Sequence, residues 1–229
     1  VETPKRAAIS ATEYPRSMTC LTASALNSGV NRWMLMDFLL CSKRRPGMSI
    51  VPGVVHSLYG DAKARWTINE YADLECPFCK VYTPRLKRWV DSHTDVNLVW
   101  RHLPLQMHGE AARHQARLVE CAGIQGGAKA FWSAIDAIFA QSAGNGGGLP
   151  GGTLDFPDLD QARLEKCAKD MHLVDQLIKT DIDTARSNGI TATPTLVIQD
   201  NQTGRSVKLE GMADETTLLS AIDWLAKDL

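Results

Sequence analysis

The sequence predicts an α/β protein with a central mixed sheet, an inserted helical subdomain and an N-terminal, partly helical extension. Three observations predict it. Residues 66–72 (WTINEYA) alternate like a strand and run into Cys76-Pro77-Phe78-Cys79 and then a helix. A block of helix-period segments follows the next strand. A strand, a hairpin turn, a returning strand and a helix then close the chain, so the order reads β-α-β, helices, β-β-α.

Residues 1–65 read as an extension. Val1 to Ser17 is polar and carries Pro4 and Pro15, the composition of a loose arm. Leu21 to Leu40 is apolar enough for helix, with a break at Asn27-Ser28-Gly29. Lys43-Arg44-Arg45-Pro46-Gly47 is a stop and turn. Ile50 to Tyr59 reads as an extended approach to the main domain, and Gly60-Asp61 as a turn. The catalytic domain is placed at 66–229, with its helical insertion at about 107–189. Within it, 77–91 reads as helix and 96–103 (VNLVWRHL) as strand. The segments 109–123, 129–141, 159–172 and 174–188 read as helices, with Phe131, Ile135, Ile138 and Phe139 spaced three and four apart. Ser142 to Asp155 is a glycine-rich loop. Residues 195–199 and 206–209 read as a hairpin turning at Asn201–Gly204, and 215–227 as the last helix.

With 229 residues and a net charge of −1, nothing in the composition argues for nucleic acid or an anionic membrane as partner. The longest apolar run, Trp33 to Cys41, is interrupted by Asp37 and is too short to span a bilayer. Val1 leads into a polar segment rather than a signal peptide, as in a cytosolic or a processed chain. Six cysteines tilt toward an oxidising compartment.

The chemistry lies in Cys76 and Cys79. In a first helical turn this spacing lets two sulfurs meet without backbone movement. At the helix N-terminus, unpaired N–H groups and the helix dipole favour a negative sulfur, which lowers the pKa of Cys76 and makes it the nucleophile. Pro77 suits the first helical position, where a missing N–H costs nothing. Cys79, a turn deeper, is the resolving thiol. The competing readings are half a zinc site and an inert pair. Zinc takes four ligands, and the sequence has no second Cys-x-x-Cys and no metalloprotease-like histidine spacing. His102, His108 and His114 read as structural or solvated. No metal and no cofactor is expected.

These residues, with Thr193-Pro194-Thr195 late in the chain just before the hairpin, resemble the thioredoxin superfamily, in particular bacterial DsbA-like proteins with a helical insertion. The resemblance covers Trp66 to Leu229. It implies that Thr193-Pro194 is a cis-proline loop lying against the cysteine pair, with Thr193 and Pro194 holding an extended substrate chain. It also implies that Glu70, six residues before Cys76, is a buried acid exchanging a proton with Cys79. Alternation puts Glu70 on one strand face with Ile68 and Ala72; a surface glutamate on an edge strand is the other reading. Pro84 matches the family's kinked active-site helix. Lys80 reads as a solvated side chain. Phe78 stands where the strongly oxidising DsbA motif has histidine, so a weaker oxidant is expected; Phe78 also suits a substrate-docking surface.

Some DsbA-like relatives have a second disulfide between positions similar to Cys121 and Cys167. A bridge there closes a loop of about 46 residues, worth roughly 4 kcal/mol in the entropy model. Two buried free thiols are the alternative. Cys20 and Cys41 are too far apart on one continuous helix to bond; a hairpin near Asn27-Ser28-Gly29, or a bridge between chains, would join them.

The function expected from the resemblance is thiol-disulfide exchange on cysteine-containing protein substrates, as disulfide oxidase or isomerase. A redox partner protein and a periplasmic or otherwise extracytoplasmic location go with it. The apolar runs 33–36 and 38–40 suit residues 1–65 to homodimer formation, or to packing on their own domain. A non-catalytic binding or scaffold protein and a cytosolic reductase are the alternatives.

Overall fold

The computed structural model describes residues 57–227 apart from 155, 157, 158 and 171. The readings made for residues 1–56, including the pairing of Cys20 with Cys41, lie outside the described residues.

The expected mixed sheet is present, with five strands among the described residues in the order β1-β3-β2-β4-β5. They are β1 (Leu58–Tyr59), β2 (Trp66–Ala72), β3 (Val96–His102), β4 (Thr195–Asp200) and β5 (Ser206–Glu210). β2 pairs parallel with β3 and antiparallel with β4; β1 runs antiparallel to β3, and β5 to β4. The sheet therefore begins before Trp66, inside the segment read as extension. Two residues are too few to show a strand period, and Leu58 and Tyr59 are held by pairing with Val99 and Leu98.

The central strand β2 is covered on both faces. Ile68 and Ala72 face the larger apolar core with Leu98, Trp100, Leu196 and Ile198. Tyr71 lies on the other face with Val197, under Ala185 of the overlying helix. Glu70 belongs to the larger core's side and is fully buried, paired in register with Trp100 and Leu196. That removes the reading of a surface glutamate on an edge.

Among the described residues, five α-helices surround the sheet: α1 (Pro77–Asp91), α2 (Gly109–Gln141), α3 (Gln161–Asp170), α4 (His172–Ser187) and α5 (Glu215–Ala226). α2 is broken at Gly127, whose φ of 68° is open to glycine at little cost, so the two expected helices meet end to end. α5 starts at Asp214, which accepts a hydrogen bond from the Thr217 N–H. The helical insertion is tied to the sheet by polar groups. Asp181 of α4 accepts from Arg101 Nη1 at 3.2 Å and the His102 N–H at 3.0 Å, and Glu120 of α2 lies 3.3 Å from His102 Nε2. Cys121 and Cys167 are joined, linking α2 to α3 with Cα atoms 5.9 Å apart.

Candidate active site

Cys76 is the N-cap of α1, in extended conformation, and Pro77 opens the helix. The β2–α1 connection is short, so the strand delivers the motif directly to the sheet's end. Across the gap, the Thr193-Pro194 bond is cis, and Thr193 O lies 3.6 Å from Cys76 Sγ. The structure thus brings Cys76, Cys79, Thr193, Pro194 and Glu70 to one place, with Phe78 at its mouth, 57% exposed.

The two thiols are free and differ in environment. The Cys79 thiol, the Thr193 side chain and the N–H groups of Cys79 and Phe78 outweigh the effect of burial and hold Cys76 down to about 5. Burial, followed by the bond to Cys76 and the proximity of Glu70, pushes Cys79 well above the ordinary thiol range. Phe78 contributes its backbone N–H and no charge. Glu70 accepts from Thr83 Oγ1 at 2.7 Å through one oxygen; its other oxygen has no hydrogen-bond partner among the described residues. Burial pushes Glu70 up to about 8, against the Thr83 hydrogen bond. The site therefore holds a stabilised thiolate, a buried thiol and a protonated carboxyl at neutral pH.

Two further acids flank the motif, and neither is signalled by local sequence. Asp73 accepts from the Glu75 N–H at 2.8 Å, the Leu105 N–H at 2.7 Å and His108 Nδ1 at 2.7 Å. Glu75, fully buried, accepts from Gln115 and Ser142 on one oxygen, and from the N–H groups of Gly146 at 2.8 Å and Gly148 at 3.1 Å on the other. Burial raises the Glu75 pKa, but the Ser142 hydroxyl, the Gly148 N–H, the Gln115 amide and the Gly146 N–H together hold it below its ordinary value. Lys80 is not simply solvated: its Nζ donates to Ser142 O at 3.2 Å.

Four apolar side chains stand exposed in this neighbourhood. Phe78 and Val81 lie on α1, and Met107 lies in the turn anchored by His108. Met212 follows Gly211, whose N–H donates to Pro194 O at 2.9 Å. The three histidines stand apart: His102 on Glu120, His108 on Asp73, and His114 Nε2 at 3.2 Å from Gly152 O. Among the described residues, no group of three or more His, Cys, Asp or Glu side chains is placed to hold a metal ion.

A family model described as thioredoxin matches residues 53–215. Over 165 residues the chain is 31% identical to the Na(+)/H(+) antiporter NhaA 1 of Salinispora arenicola, taking in 69% of this chain and 24% of that one. The chain thus spans about a quarter of the length of the curated relatives it matches. Among solved structures, Pseudomonas aeruginosa DsbA2 is 93% identical, with a TM-score of 0.75 over 76% of this chain and 96% of that one. A thioredoxin-like oxidoreductase from Silicibacter pomeroyi DSS-3 is 23% identical over 81% of this chain and 99% of that one, with a TM-score of 0.62, a likeness of fold.

Proposed function

The chain belongs to the thioredoxin family, and from that premise we propose that it is a DsbA-like thiol-disulfide oxidoreductase acting as a dithiol oxidase, with Cys76 as nucleophile and Cys79 as resolving thiol. The observation that carries this direction is the unequal pair: Cys76 held to about 5 beside a Cys79 pushed far up. A thiolate stabilised in the dithiol form makes that form the preferred one, so the disulfide form draws electrons from other thiols; DsbA is itself the standing example of this rule.

The exchange runs as follows. A substrate thiolate attacks Cys76 Sγ of the Cys76–Cys79 disulfide; the new S–S bond forms and the Cys76–Cys79 bond breaks. Cys79 leaves with the electron pair and takes a proton, for which the Glu70 carboxyl is the buried source. A second substrate thiolate attacks the substrate sulfur of the mixed disulfide and releases the Cys76 thiolate. Two electrons pass from the substrate dithiol to the Cys76/Cys79 pair, which a partner protein's disulfide then reoxidises.

Cysteine-containing polypeptides suit the site as substrates. An extended chain fits beside Thr193 and cis-Pro194, and Phe78, Val81, Met107 and Met212 offer apolar surface around it. The Cys121–Cys167 bridge supports an extracytoplasmic, periplasmic-type compartment.

The test is oxidation of a reduced, unfolded ribonuclease set against rearrangement of a scrambled one. The oxidase reading expects fast oxidation and slow rearrangement, loss of both on Cys76→Ala, and a trapped mixed disulfide on Cys79→Ala. A reduction potential below about −300 mV would mark a structural bridge and overturn the proposal.

A further inference from the structure

We infer that Glu75 is a positioning residue for the exchange: its carboxylate, nested in the loop 142–148, fixes the backbone at Cys76 so that the sulfur stays aimed at its donors. The inference rests on Cys76 being the nucleophile.

Every polar group of Glu75 is committed. Its N–H goes to Asp73 Oδ1 at 2.8 Å, and its carbonyl accepts from the Asn145 N–H at 2.7 Å. Its carboxylate takes two side-chain donors and two glycine N–H groups, as described above. The peptide unit that joins Glu75 to Cys76 is thus tied at the carbonyl to the loop, and the Cys76 N–H is tied to Asp73 O at 3.1 Å. That unit sets the direction of the Cys76 side chain, and with it the alignment of Sγ on the N–H groups of Phe78 and Cys79.

The loop has the form of an anion cradle. Gly144, Asn145, Gly146 and Gly148 all have positive φ, which turns N–H groups inward, as in the backbone concavities that bind free anions. Here the anion is a side chain of the protein itself. Gly146 also presses on the neighbouring turn: a Cβ there would lie 3.3 Å from His108 O. The cradle is closed from the helix side by Lys80, one turn after Cys76. Clamping the motif from both sides in this way goes beyond what is needed to cap a loop.

The test is the ultraviolet absorbance of the thiolate, titrated in the reduced full chain, with the rate of attack by a small disulfide measured across the same pH range. Cys76→Ala must abolish the absorbance step; if it does not, the nucleophile assignment has failed and not this inference. Glu75→Ala is expected to cut the thiolate population on the acid side about tenfold, a displacement of one pH unit. Glu75→Gln is expected to stay within about threefold of wild type, because Gln115 Oε1, which has no hydrogen-bond partner among the described residues, can turn to accept the new amide. If Glu75→Ala titrates like wild type and only melts earlier, the residue is merely structural and the inference is overturned. It is equally overturned if Glu75→Gln is displaced as far as Glu75→Ala. Should Glu75→Ala fail to fold, Ser142→Ala removes one donor and keeps the rest. A shift of about two- to threefold in the same direction supports the inference; an unmoved titration overturns it.

Discussion

Glu70 and Glu75 lie five residues apart, both fully shielded from solvent, and they titrate in opposite directions. Glu70 stands on a central strand with one hydroxyl donor and an unpaired oxygen, so burial wins and the group holds its proton. Glu75 stands in a loop cradle with four donors, so hydrogen bonding wins and the group stays charged. Burial alone does not decide the state of a carboxyl; the number of donors that reach it does. The same contrast underlies the two proposed roles, a proton source for Cys79 and an anchor for the backbone at Cys76.

The contrast is open to breakage. The largest expected effect is on stability against pH. The folded value of Glu70 is raised from 4.5 to about 8, so between these limits the unfolded chain ionises while the native one stays protonated. The contribution of Glu70 to native stability is greatest below about pH 4.5 and falls as pH rises to about 8, by on the order of 5 kcal/mol. Glu70→Gln is expected to flatten that slope in the disulfide form, where the two thiols do not titrate, as read by urea unfolding at several pH values. A slope that persists in the variant sinks the assignment.

Glu75→Ala is expected to lose about 3 kcal/mol at neutral pH, because buried donors are left without an acceptor. Glu70→Gln at that pH is expected to be neutral or stabilising, so equal losses in the two variants would erase the distinction. Next comes catalysis: Glu70→Gln is expected to slow formation of the mixed disulfide, the step in which Cys79 takes a proton, by about a hundredfold near pH 7, measured by capture of a labelled peptide thiol on the disulfide form. The smallest effect belongs to Thr83→Ala, which removes the one donor to Glu70 and is expected to raise its pKa further, changing the same step by about threefold. Carbon-13 titration of Glu70 reads that shift directly.

Much of the frame was legible because it is local. β2 and α1 follow from a period-2 run, Pro77 at the first helical position and a helix-period stretch, and the structure has them at 66–72 and 77–91 as read. The kink at Gly127 falls in the gap left between two helical patterns. The resemblance carried by the cysteines and Thr193-Pro194 led to the thioredoxin family. What escaped was non-local. Gln115, Ser142 and Gly148 lie 40, 67 and 73 residues from Glu75, and no spacing rule links a glutamate before a cysteine to a glycine-rich loop that far away. The signals were present only as parts: an acid beside the nucleophile, and more glycines in 142–155 than a connection needs. Asp73 was missed for the same reason, its partners being Leu105 and His108. β1 was missed because two residues carry no period.

The sheet's outer strands have a consequence for a protein whose proposed clients are incompletely folded. Such chains carry unpaired strands, and any long, bare sheet border invites them to add on and stay. Among the described residues, one border is the two-residue strand Leu58–Tyr59. The other, Ser206–Glu210, carries Lys208 paired to Glu210 at 3.0 Å and reaching Gly189 O at 3.3 Å. Among the described residues, a short border and a charged one offer little for a stray strand to zip onto, which would favour brief contact near the sulfur over growth into an aggregate.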